Sequence, residues 1–120
     1  MKWKIKADRP IYLQIVEYIQ KQIVSGELHT GDKLLSVREL SSVLKVNPNT
    51  VQKAYGELER MNLVETIRNT GREVTRDEDI IRKSKAELAE NYIIEFVTNM
   101  RTIGFSTDEI IGNLKEKGGE

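Results

Sequence analysis

The sequence contains no cysteine and only one histidine, His29. The missing cysteines exclude disulfides and thiolate metal sites, and one histidine cannot form a histidine metal cluster within a chain. No run of about 18 apolar residues is present to span a membrane, and the opening stretch MKWKIKADRP has no apolar core of signal-peptide length. These absences predict a cytoplasmic protein with no cofactor, no metal and no membrane partner.

Acidic and basic residues are equal in number, at 19 each, so the formal net charge is zero. Their distribution is uneven. Residues 1–76 hold 13 Lys and Arg against 9 Asp and Glu, whereas residues 77–120 hold 6 against 10. A basic half followed by an acidic half fits a nucleic-acid-binding domain with an appendage that does not touch nucleic acid. The difference is modest, and ordinary scatter of charges is the alternative interpretation.

The pattern around which the chain is organised lies between Thr30 and Val74. Asn47 is a preferred helix N-cap, and Pro48 suits the first helical position. Apolar residues then recur at intervals of three and four, at Val51, Ala54, Tyr55 and Leu58, which predicts one buried stripe. The exposed face has no carboxylate before Glu57, and it carries Asn49, Thr50, Gln52 and Lys53. Such a helix suits base edges and phosphates in a major groove, which Asn47, Asn49, Thr50, Gln52 and Lys53 are expected to surround.

A shorter helix is predicted just before the helix that begins at Asn47. Ser36 and Glu39 have the spacing of a capping box. The predicted apolar stripe consists of Val37, Leu40, Val43 and Leu44. Only Lys45 and Val46 separate this helix from Asn47, so a tight turn is expected, although the usual turn glycine is absent. Two short helices joined in this way predict a helix-turn-helix.

Two stretches of this region, TGDKLLSVREL and VNPNTVQKAYGELERMNLVET, closely resemble the GntR family of bacterial transcriptional regulators. The small tail resembles the YtrA-type subgroup. The resemblance covers about residues 9–75 and implies a dimeric repressor of an inverted-repeat operator, in this subgroup often that of a transporter operon. It also implies that Arg38, which matches a family arginine that reaches DNA, takes a guanine or a phosphate. A surface ion pair between Arg38 and a nearby glutamate is the alternative.

A β-hairpin is predicted after the two helices, with strands over residues 63–67 and 72–75. Its tip carries Arg68 and Arg72 with Gly71 between them, and these three residues are expected to contact the flanking DNA. Family wings resemble this hairpin but have a more glycine-rich tip, followed by Thr and an aromatic residue where this chain has Arg72 and Glu73. The tip is therefore expected to approach the DNA backbone less closely and to offer guanidinium groups instead.

The N-terminal residues KWKIK alternate lysine with Trp3 and Ile5. Period-2 alternation favours packing of Trp3 and Ile5 on the core, and phosphate contact through Lys2, Lys4 and Lys6 is the alternative. A scaffold helix is expected from near Pro10, capped by Asp8, to Ser25. Its predicted buried stripe consists of Tyr12, Ile15, Val16, Ile19 and Ile23.

The acidic half is predicted to form a long helix from Asp77 to about Ile103 and a short one from Ser106. The apolar stripe of the long helix consists of Ile81, Leu88, Tyr92, Phe96, Met100 and Ile103. About 44 residues lie near the limit for independent folding, so we expect this stripe to pair with a second copy of the chain. Folding back onto the same chain is the alternative. A small-molecule effector of unknown identity would bind between two arms, near Tyr92 and Phe96.

The predicted fold class is mainly α with a small β-wing. Residues 1–76 form a winged helix-turn-helix DNA-binding domain, and residues 77–120 form a helical dimerisation arm. The predicted function is sequence-specific regulation of transcription by a dimeric repressor. A protein-interaction adaptor without specific DNA binding is the rival from another class. No nucleophile–base pair or phosphate loop points to an enzyme, and Glu57 and Glu59 are expected to be solvated surface.

Overall fold

A computed structural model describes residues 3–118 of the chain. The helices and strands follow one another as α1 (Ile11–Val24), α2 (Val37–Leu44), α3 (Pro48–Arg60), β1 (Val64–Ile67), β2 (Gly71–Val74), α4 (Glu78–Thr102) and α5 (Thr107–Lys117). The predicted class, mainly α with a small β-wing, is confirmed. Among the described residues, no helix combines the length and apolar character needed to cross a membrane.

The core forms where α1 crosses α3, and the hairpin closes one side of it. The apolar stripes predicted for α1 and α3 are buried, except that Tyr12 at the start of α1 is only half-buried. The apolar core consists of Ile15, Val16, Ile19, Ile23, Leu40, Val51, Ala54, Tyr55, Leu58, Leu63, Val64 and Val74. Each fully buried side chain of this size contributes about 1.5–3 kcal/mol, so α3 is held firmly by the stripe opposite its exposed face.

The start of α1 differs from the prediction. Pro10 occupies the N-cap position and no side chain caps the helix, so the prediction that Asp8 caps it is wrong. Gln14 instead ties the preceding segment to the helix. Its side chain donates to the carbonyl oxygens of Lys6 and Arg9, at 2.7 and 2.9 Å, and accepts from the Lys6 N–H at 2.8 Å.

The N-terminal arm packs through its apolar residues. The Trp3 ring stacks on Tyr18 of α1, with ring centroids 4.6 Å apart, and Ile5 is half-buried. The prediction that the arm packs on the core is therefore confirmed for Trp3, whereas Ile5 is partly covered only. Lys4 and Lys6 are exposed, and Lys2 lies outside the described residues.

Helix α2 begins with the predicted capping box, in which Ser36 and Glu39 each accept from the other's backbone N–H. Its apolar stripe is narrower than predicted, because Val43 is 55% exposed. The buried residue beside Leu40 is Ser41, whose hydroxyl donates to the Val46 carbonyl at 2.7 Å. At the predicted turn, Lys45 adopts the left-handed conformation, with φ 58° and ψ 47°.

Strands β1 and β2 pair antiparallel, with Val64 opposite Val74 and Ile67 opposite Gly71. The segment before α2 runs beside β2. The Leu34 N–H donates to the Arg72 carbonyl and the Val74 N–H donates to the Asp32 carbonyl, both at 2.9 Å. This pairing amounts to a single β-bridge between Lys33 and Glu73.

The chain divides into two compact units between Lys85 and Ala86, within α4, whereas the predicted domain boundary lies at residues 76/77. Asp77 caps α4 by accepting from the backbone of Asp79 and Ile80. In the first unit, Gln20 of α1 donates to the buried Ser84 hydroxyl at 3.0 Å. In the second unit, α5 begins after Ser106, as predicted, and Ser106 and Glu109 form a capping box.

Candidate nucleic-acid interface

The candidate interface centres on the N-terminal half of α3, whose exposed face opposes the buried stripe. Asn49, Gln52 and Lys53 are exposed on this face, and Thr50 is half-buried. Asn47 lies at the N-cap, where its Oδ1 accepts from the Asn49 backbone N–H at 2.8 Å. The side-chain oxygen of Asn47 thus caps the helix, and its NH₂ group remains able to donate a hydrogen bond.

Lys53 is held in place by α1. Its Nζ lies 4.0 Å from the centroid of the Tyr12 ring. A cation above an aromatic face is attracted by about 0.5–1 kcal/mol at an exposed site. This contact orients the ammonium group without neutralising it, so the group keeps its charge for an anionic ligand.

Arg38 stands in the first turn of α2, and its side chain is exposed. Within residues 3–118 it forms neither an ion pair nor a side-chain hydrogen bond. The alternative interpretation, a surface ion pair with a nearby glutamate, is therefore not observed. A free guanidinium with five donors in a planar fork suits a guanine edge or a phosphate.

The hairpin tip is exposed and built around two left-handed residues, Asn69 (φ 70°) and Gly71 (φ 99°). Arg68 lies at this tip, exposed, and the described part of the chain gives it no ion-pair partner. Arg68 and Gly71 are therefore both accessible to a molecule that approaches the tip.

Arg72 has different surroundings from Arg68. Its Nε donates to Glu59 Oε1 at 3.0 Å, and only 20% of its side chain is exposed. Its guanidinium carbon lies 5.2 Å from the ring centroid of Tyr55. The other oxygen of Glu59 accepts from the Thr66 hydroxyl at 2.7 Å. The prediction that Glu59 is solvated surface is therefore wrong.

The pKa of Glu59 is lowered by the hydrogen bond from Thr66 and, after a smaller opposing effect of burial, by Arg72. Burial raises the pKa of Tyr55 to about 12, and its hydroxyl donates to the Leu35 carbonyl at 2.7 Å. Sequence reasoning missed this cluster because Glu59 and Arg72 lie on different elements. The one available signal in the sequence was that Arg72 stands where family wings usually have Thr.

His29 lies in the turn after α1 and is not isolated. Its Nδ1 is 3.5 Å from Asp32 Oδ2, and its backbone N–H donates to the same oxygen at 2.7 Å. Its side chain is 78% exposed. Among residues 3–118, no three His, Asp or Glu side chains are grouped to hold a metal ion.

The residues predicted for dimerisation do not share one environment. Ile81 is half-buried and packs against the core of the first unit. Leu88 and Met100 are half-buried, whereas Tyr92, Phe96 and Ile103 are exposed. The second unit also exposes apolar residues that were not in the predicted stripe: Ile93, Ile94, Ile111 and Leu114.

Comparisons with known proteins cover both the helix-turn-helix region and the whole chain. The family model for bacterial regulatory proteins of the gntR family matches residues 11–74. YhcF of Bacillus subtilis, an uncharacterized HTH-type transcriptional regulator, is 38% identical over 112 residues, which are 93% of each chain. The transcriptional repressor YtrA of the same species is 31% identical over 121 residues, covering 96% of this chain and 93% of YtrA.

A solved structure agrees with these sequence matches. A GntR family transcriptional regulator from Listeria monocytogenes superposes with a TM-score of 0.86 at 41% identity, covering 92% of this chain and 97% of that one. The likeness therefore extends beyond the winged helix into the C-terminal helices. Because the family model spans more than half of the sequence and YtrA matches nearly all of it, the chain belongs to the GntR family of bacterial regulatory proteins and is of the YtrA type.

Proposed function

We propose that this regulator is a homodimeric, cytoplasmic transcriptional repressor that binds an inverted-repeat operator in double-stranded DNA. The observation that carries the proposal is the exposed Arg38 guanidinium, which has no ion-pair partner among residues 3–118, in a helix-turn-helix whose second helix exposes amide, hydroxyl and ammonium groups. These groups match the acceptors and donors of a major groove and its phosphates.

In the proposed complex, the N-terminal half of α3 enters the major groove. Asn49 and Gln52 suit the N6 and N7 edge of adenine, and Lys53 suits a phosphate. Asn47 and Thr50 border the same groove. Arg38 takes a guanine bidentately or a phosphate, and the exposed wing tip with Arg68 and Gly71 reaches the flanking backbone or minor groove.

The second unit provides the proposed dimer contact. Helix α4 exposes the large apolar side chains of Tyr92, Ile93 and Phe96 within about 100° of one another around the helix axis, and a contiguous apolar patch on a small protein often marks an interaction site. A second copy of the chain covers such a face with two-fold symmetry. We therefore propose residues 77–120 as a dimerisation arm, attached to a DNA-binding domain of residues 1–76 through the first turns of α4.

The test is selection of DNA from a randomised pool, followed by measurement of the winner's affinity against salt. We expect an inverted repeat bound by a dimer, with log K falling steeply as log salt rises, because phosphate contacts release counterions. If no sequence is enriched and binding stays weak at low salt, with any effector supplied from cell extract, the adaptor function replaces this proposal.

We propose that the same arm also binds the effector that controls the regulator. A small-molecule effector would bind between two arms near Tyr92 and Phe96, both exposed in the single chain. The subgroup resemblance favours a transporter operon as the target. Searching promoters for the selected operator sequence tests that target directly.

A further inference from the structure

The wing and α3 share a single carboxylate. Thr66 of β1 and Arg72 of β2 are direct partners across the hairpin, so their side chains lie on the same face. Each donates to a different oxygen of Glu59, at 2.7 and 3.0 Å. One side chain of α3 therefore accepts one hydrogen bond from each strand, one rung below the tip that begins after Ile67.

The arginine of this cluster is also packed against the core. Its guanidinium carbon lies 5.2 Å from the ring centroid of the buried Tyr55. The Tyr55 hydroxyl in turn donates to the Leu35 carbonyl, one residue before the cap of α2. The contacts thus run without a break from the wing through α3 to the start of α2, the helix that carries Arg38.

We propose that Glu59 and Arg72 are positioning residues that fix the wing against α3, and that Arg72 does not contact DNA. Charge-assisted hydrogen bonds are roughly twice as strong as neutral ones, and this pair is partly shielded from water, with side-chain exposures of 33% and 20%. The lowered pKa of Glu59 agrees with a carboxylate stabilised by both donors. Arg68 remains the arginine that the wing offers to DNA.

This inference rests on the proposed function for its DNA readout but not for its structural readout. Glu59→Gln removes a negative charge from α3, so a purely electrostatic role predicts tighter binding to the selected operator. A positioning role predicts weaker binding, by about tenfold for the loss of a hydrogen-bonded charged pair. The matched control is Glu57→Gln on the same helix, because Glu57 is 35% exposed and pairs with Arg60 rather than with the wing.

The second variant is Arg72→Gln. If Arg72 contacts a phosphate, its loss reduces the slope of log K against log salt by about 0.9. Positioning predicts a lower affinity with an unchanged slope. Arg68→Gln provides the contrast, since it is expected to reduce the slope.

The structural readout is hydrogen exchange of the β1 and β2 amides in the full chain without DNA. We expect about tenfold faster exchange in Glu59→Gln and Arg72→Gln than in Glu57→Gln, because the wing opens more readily once its attachment is lost. Equal exchange in all three variants, or a reduced salt slope in Arg72→Gln, would overturn the proposal. If the unmodified protein selects no DNA, the repressor function fails, while the exchange rates still decide whether the pair holds the wing.

Discussion

Arg38 is an exposed arginine with no partner in the described part of the chain. We expect Arg38→Ala to weaken binding to the selected operator by about 1–3 kcal/mol and to relax the base preference at one position, because a bidentate base contact is lost. Fluorescence anisotropy against single-base variants of the operator measures both effects.

The control for Arg38 is Arg82→Ala, which removes the same charge from an exposed arginine that pairs with Asp79 in the first turn of α4. Affinity should change little in this variant. A uniform loss over all operator variants in Arg38→Ala would assign Arg38 to a phosphate. An unchanged affinity would mean that Arg38 does not contact DNA.

Lys45 holds the left-handed conformation that a turn glycine would adopt without strain. A side chain in this conformation costs roughly 1–2 kcal/mol, part of which is offset because glycine gains freedom in the unfolded chain. We expect Lys45→Gly to stabilise the protein by about 1 kcal/mol, measured by urea unfolding at fixed protein concentration.

Gln52→Gly provides the opposite case, since Gln52 lies on the exposed face of α3. Glycine inside a helix costs about 1 kcal/mol, so the urea midpoint should fall in this variant and rise in Lys45→Gly. A fall in both would mean that the left-handed conformation of Lys45 carries little strain.

At the scale of elements, α2 is only eight residues long, and its start depends on the capping box. We expect Ser36→Ala to destabilise the protein by about 1 kcal/mol, because an N-cap hydroxyl is lost. Ser42→Ala is the control, since Ser42 is exposed in the same helix and forms no side-chain hydrogen bond within residues 3–118. Equal urea midpoints for the two variants would contradict a role for the cap.

The effect of Ser36→Ala is also expected to depend on pH. Hydrogen bonds from the Ser36 backbone and side chain lower the pKa of Glu39 in the folded state. A lowered folded pKa contributes stability above the ordinary carboxyl pKa, and this contribution is lost as pH falls through the folded value. The difference between Ser36→Ala and the unmodified protein should therefore shrink on acidification, as urea unfolding at several pH values will measure.

Most contacts within one helix were predictable from sequence, whereas the specific pairs between α3 and the hairpin were not. The stripes of α1 and α3 follow from the helical period, and the cap of α2 follows from the spacing of Ser36 and Glu39. The prediction that Val43 lies in the buried stripe of α2 was wrong, because periodicity gives the direction of a stripe but not its width. The pairing of Glu59 with Arg72 requires the hairpin to fold back on α3, which no local spacing encodes.

At the scale of the whole molecule, the proposed function requires two copies, and the exposed apolar face of the second unit is where they are expected to meet. Phe96 is 39% exposed on α4. Burying a phenylalanine contributes about 1.5–3 kcal/mol, and two-fold symmetry counts each residue twice. We therefore expect Phe96→Glu to raise the dimer dissociation constant at least about 100-fold, measured by sedimentation equilibrium.

Thr98→Glu introduces the same carboxylate two residues further along α4, at an exposed position about 200° around the helix from Phe96, and should leave the dimer intact. The two variants also separate dimerisation from DNA recognition. A Phe96→Glu monomer retains α3 and Arg38, so it should bind a single half-site as the unmodified protein does but lose the added affinity for the inverted repeat. Dimers of unchanged stability in Phe96→Glu would instead place the contact between copies on another surface and leave this apolar face for a different partner.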